Sequence, residues 1–118
     1  MNYAQAVQEI AKAAPEIQSE LSKCSDQNVY ELIQIFMVQI RKVAKENKLQ
    51  LLTSYLKKMN KIYRSGNIAL KNAIENTFIY SLDNFTTFCN AECKKVIFNN
   101  ISNDLRQIYL RQIYKSGM

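Results

Sequence analysis

The 118-residue chain has no histidine, one proline and two glycines. Without histidine it lacks the commonest general base at neutral pH and the commonest metal ligand. Serine–histidine and cysteine–histidine nucleophile pairs are excluded with it. Two glycines cannot build a glycine-rich phosphate loop or a dinucleotide fingerprint. They are also too few, with a single proline, for the many special-dihedral turns of an all-β fold. Cysteine is sparse and odd in number: Cys24, Cys89 and Cys93. Three thiols fit a reducing compartment better than a disulfide framework, so the expected location is the cytoplasm. The first residues, Met1 to Gln5, show no charged leader before an apolar run, and no secretory signal is expected. The longest unbroken apolar run of this kind is Ile35 to Val38, far below the ~20 residues of a membrane span.

What is present is helical periodicity almost throughout. Tyr3, Val7, Ile10, Ala11 and Ala14 make a first stripe. Pro15 suits the first turn of a second helix carrying Ile17, Leu21 and Cys24. The polar stretch Ser25-Asp26-Gln27-Asn28 breaks the chain, and Asn28 with Glu31 has capping-box spacing. A third helix, about 29–46, carries Val29, Leu32, Ile33, Phe36, Ile40 and Val43 on one face. Tyr30, Ile35, Met37 and Val38 widen that face nearly all round, which predicts a central helix contacted from several sides. Leu49, Leu52, Leu56, Met59 and Tyr63 define a fourth helix, ending at Ser65-Gly66 with Gly66 expected as a left-handed cap. A fifth helix is predicted over about 67–82, with Leu70, Ile74, Thr77, Phe78, Ser81 and Leu82. A sixth, capped by Asp83 or Asn84, would carry Phe85, Phe88, Cys89, Cys93, Val96, Ile97 and Ile101. A last one opens at Ser102 or Asn103 with Leu105, Ile108, Tyr109 and Ile113. The expectation is an all-α single domain spanning 1–118. Six or seven antiparallel helices would form one compact bundle or a short helical-repeat stack.

The net charge of +6 is concentrated mid-chain. Within 37–72, nine Lys or Arg stand against Glu46 alone. Arg41, Lys45 and Lys48 fall at i, i+4, i+7, and Lys57, Lys61 and Arg64 repeat that spacing on the next helix. In a hairpin of these two helices the stripes could face one solvent side. A solvated face, a patch for an acidic protein and a phosphate-binding patch all fit this pattern. Lys outnumbers Arg 12 to 4, so bidentate phosphate or base contacts would be few, and protein is favoured over nucleic acid.

The ten carboxylates are dispersed, and Glu16 and Glu20 read as a solvated face. Cys89 and Cys93, at i, i+4 among apolar residues, read as core packing, with zinc or redox chemistry the alternative. Tyr109 and Tyr114, beside Arg106 and Arg111, read as the rim of a core before a recognition surface. No catalytic residue, metal site or cofactor is expected, and no membrane contact.

The segment Ser65 to Leu82 contains a Gly66-Asn67 turn, then Asn72-Ala73-Ile74-Glu75, Phe78 and Leu82. Together with the Pro15-Glu16-Ile17 step it resembles a family of small bacterial helical proteins, over about residues 15–98. The resemblance implies a HEAT-like helical stack in which Asn72, Glu75 and Phe78 organise the fold. It also implies a role as an immunity or antitoxin-like protein that neutralises a toxin by direct binding. A basic nucleic-acid-binding or regulatory module is the alternative.

Overall fold

A computed structural model describes residues 1–24, 28–83, 87 and 89–116, the last four as backbone alone. All regular structure among them is helical: α1 (Tyr3–Ala13), a 3-10 turn (Pro15–Ile17), α2 (Gln18–Ser22), α3 (Val29–Lys45), α4 (Leu49–Ser65), α5 (Ile68–Ala73), a π-helical segment (Ile74–Ile79), α6 (Ala91–Asn100) and α7 (Asn103–Ser116). The chain is an all-α bundle, as its periodicity predicts.

Asparagine starts four of the helices. The side chains of Asn2, Asn28, Asn67 and Asn90 accept from the amides of Gln5, Glu31, Leu70 and Cys93, satisfying a donor that has no partner inside the helix. Asn2 and Gln5 close a full capping box, with Asn2 N donating to Gln5 Oε1 at 2.9 Å. Pro15 opens the second helical stretch as expected, its first turn being 3-10. Residues 25–27 of the expected polar break lie outside the described residues.

The α3–α4 turn is made by Asn47, the one non-glycine residue with positive φ (57°) among the described residues. Asn47 N donates to Ala44 O and Lys48 N to Val43 O, the two bonds of a Schellman closure. Gly66, expected to be left-handed, is instead extended (φ −73°, ψ 155°). Its need for glycine is steric. A Cβ there would stand 2.5 Å from Ile62 O and 3.0 Å from Leu70 Cβ.

The fifth helix departs from the α form at Ile74. The wider i→i+5 turn, with Tyr80 N donating to Glu75 O, lets Ile74, Phe78 and Ile79 all point inward. The helix carrying Cys93 and Ile97 begins at Ala91, not at Asp83 or Asn84, because Asn90 supplies its cap. Asn84, Phe85 and Phe88 lie outside the described residues.

The buried side chains form one cluster drawing on every element, from Ala6 and Ile10 of α1 to Leu105 of α7. α4 packs against α1, α3, α5 and α6. α3 touches α4, α5, the π segment, α1, the 3-10 turn and α2. Phe36 and Tyr55, both fully buried, meet at the α3–α4 seam with ring centroids 5.8 Å apart. Among the described residues no helix is long and apolar enough to cross a membrane.

Candidate interaction surface

Four of the carboxylates are built into joints between elements. Glu9 of α1 accepts from Lys58 Nζ at 2.9 Å and Lys61 Nζ at 2.6 Å, both on α4. Hydrogen bonds from Lys61 and then Lys58 hold its carboxyl down to about 2. Glu16 is exposed, as the solvated-face reading expects, and is also engaged. Its Oε1 accepts from the Tyr55 hydroxyl and from Gln39 Nε2 (2.9 Å), tying the 3-10 turn to α3 and α4. Those bonds lower its pKa against the opposing effect of burial, while burial and Glu16 push Tyr55 up to about 12. Glu75 accepts from Tyr63 at 2.7 Å, and Asp83 from Tyr109. In both cases burial first and the carboxylate second raise the phenol to about 12. Tyr109 also lies 5.5 Å from the Phe98 ring, a rim position, while the side chain of Tyr114 lies outside the described residues.

The cysteines are free. Cys93 is buried with its thiol toward Ala44 O (3.9 Å), and burial followed by Cys89 pushes it up to about 12. A thiol so raised is a poor nucleophile and metal ligand. Cys89 precedes α6, so helical spacing is not what brings the two together. Among the described residues no group of three or more Cys, Asp or Glu could hold a metal.

The six cations singled out from the sequence do not form one patch. Lys48 leaves the α3 stripe because the helix ends at Lys45 and the chain reverses at Asn47. It pairs with Glu46 at 3.1 Å. Lys61 is drawn to Glu9, while Lys57 and Arg64 are exposed on α4. Arg41 is half-buried and Lys45 exposed on α3. α3 and α4 meet through Phe36 and Tyr55. At 3.6 residues per turn, Lys45 lies opposite Phe36, and Lys57 nearly opposite Tyr55. The two stripes therefore point away from each other.

The structure adds residues that the sequence had assigned to the core. Met37 is buried, but Tyr30 is 45% exposed and Val38 57% exposed. Both lie on the outward side of α3 with Gln34, Arg41 and Lys45. Val38, Arg41, Lys42, Lys45 and Glu46 line an open cavity of ≈ 400 Å³. The π segment and Asn90 reach the two ends of α3. Asn76 Nδ2 donates to the Tyr30 hydroxyl near one end, and Asn90 meets Asn47 at the other. Tyr80, one turn beyond Asn76, is 75% exposed. The helical wheel held the signal for this face: Tyr30 and Val38 fall among the polar positions, not with Phe36 and Ile40.

A family model described as a domain of unknown function, DUF7674, matches residues 7–115. The chain belongs to the DUF7674 family. No curated protein and no solved structure matches it. The DUF7674 match runs from within α1 to near the end of α7, and so extends beyond the segment that carried the resemblance to small bacterial helical proteins.

Proposed function

We propose that this DUF7674 protein works by binding a protein partner, as an immunity or antitoxin-like protein that masks a toxin in the cytoplasm. One observation carries the reading: large side chains are left at the surface of an otherwise well-closed core. Tyr30, Val38, Ile68 and Tyr80 are all exposed. Tyrosine and arginine beside exposed apolar groups are the composition of binding hot spots. The carboxylates support the same reading. Glu9, Glu16, Glu75 and Asp83 are engaged in holding helices together, a scaffold's use of them. The mid-chain positive charge favours an acidic partner and fast association. Protein is preferred to nucleic acid because the two cation stripes diverge, so a single run of phosphates would meet only one.

Co-expression with the product of the adjacent gene tests this. The expected result is a co-purifying complex and relief of growth arrest. Absence of both would overturn the proposal.

A further inference from the structure

We propose that the outward face of α3 seats an acidic amphipathic helix of the partner, with an apolar side chain against Val38 and carboxylates against Arg41 and Lys42. This rests on the reading that the partner is a protein. The face is a row at helical spacing, Tyr30, Gln34, Val38, Arg41 and Lys45. At 1.5 Å per residue it is about 22 Å long. A second helix matches such a row when its own i, i+3, i+4, i+7 side chains lie along it. Strand addition needs a free sheet edge, and the described residues contain no strand.

Charge selects the sign of the occupant. Arg41 and Lys42 line the cavity beside Val38, with Lys45 engaged elsewhere, and the carboxylate there, Glu46, is turned toward Lys48 at 3.1 Å. A second copy of the same face would set cations against cations, so self-pairing is disfavoured. The stem of Arg41 lies against the protein: its Nε is shielded from solvent and has no hydrogen-bond partner among the described residues. A stem already packed has less freedom to lose on binding. Val38, exposed between these cations, is the anchor point.

The probe is a synthetic helical peptide of about 16 residues, long enough for this face. Leu occupies its i, i+4, i+7 positions and Glu the flanking ones; a control carries Lys in place of Glu. Titrated into the full chain labelled with nitrogen-15, the acidic peptide should shift amides within 30–46 and 76–83 and saturate. Val38→Asp and, separately, Arg41→Glu should each weaken binding by more than about tenfold. Unsaturable or scattered shifts, equal binding of the Lys control, or unchanged affinity in both variants would overturn the assignment. So would stronger displacement of the same amides by a single-stranded oligonucleotide, which would reassign the face to phosphate. If both variants still captured the co-expressed partner, this surface would be wrong while the protein-binding reading stood. Loss of capture by the unmodified chain would sink that reading instead.

Discussion

α3 and α4 are both 17-residue amphipathic helices, paired through Phe36 and Tyr55, yet they use their polar side chains in different ways. α4 turns them inward to neighbours. Lys58 and Lys61 reach Glu9, Tyr55 reaches Glu16, and Tyr63 reaches Glu75. Asn60 donates to Asn100 O and accepts from Ser102 N at 3.1 Å, joining α4 to the α6–α7 junction. α3 contributes Gln39 to the Glu16 joint and the Tyr30 hydroxyl to Asn76, and presents a mixed apolar and cationic face to solvent. Helices with similar binary patterns thus divide the work. Both touch several neighbours; α4 adds most of the polar ties between elements, while α3 also leaves one face in solvent.

The seam common to both helices should give the largest effect. Phe36→Ala empties a fully buried aromatic site against Tyr55 and should cost about 3–5 kcal/mol in denaturant unfolding. A loss of under about 1 kcal/mol would mean the seam is not the core of the bundle. Removing a tie from the α4 side comes next. Glu16→Ala leaves the Tyr55 hydroxyl and the buried Gln39 amide without their acceptor and should cost about 1–3 kcal/mol. Glu16→Gln, which keeps an acceptor oxygen, should lose less.

The same ties set the response to pH. Glu9 titrates near 2 in the fold against about 4.5 ordinarily, and Glu16 is also lowered. A depressed carboxylate stabilises the fold above its ordinary pKa, and that contribution is lost as pH falls through the folded value. Thermal melts should therefore drop between about pH 4.5 and 2, and Glu9→Gln should flatten that limb. Tyr55, Tyr63 and Tyr109 are raised from 10 to about 12, so their contribution is present below pH 10 and lost as pH rises toward 12. Absorbance of tyrosinate should show these three ionising late, in step with alkaline unfolding. The smallest effect belongs to the α3 face. Val38→Asp should leave unfolding within about 0.5 kcal/mol of the unaltered protein. A larger loss would show that Val38 supports the core after all, and the contrast between the two helices would collapse.

Much of the fold was legible because apolar spacing and cap chemistry are local. The stripes of α1, α3 and α4, the Pro15 start and the Asn28 and Ser102 starts all lie where the spacing put them. The π segment was not legible. Ile79 falls about 100° round an α-helix from Phe78, off the predicted face, and its burial accompanies the wider turn. The late start of α6 was missed because the apolar residues from Phe85 onward continue the helical pattern across the Asn90 cap. For the candidate site, the cations were visible as spacing, but their partners were not. Glu9 and Lys61 are 52 positions apart, and nothing local announces that they meet.

Composition and periodicity by themselves determined that this chain folds as helices, that one side of each is buried, and that histidine-based chemistry is excluded. These follow from residue identity and from the 3.6-residue repeat, which act over one or two turns. Which charges are neutralised, which way the two cation stripes face, and which apolar residues of α3 stay in water were decided by tertiary structure. Those outcomes depend on where each helix finds its neighbours, and contacts between distant positions are created only when the chain packs.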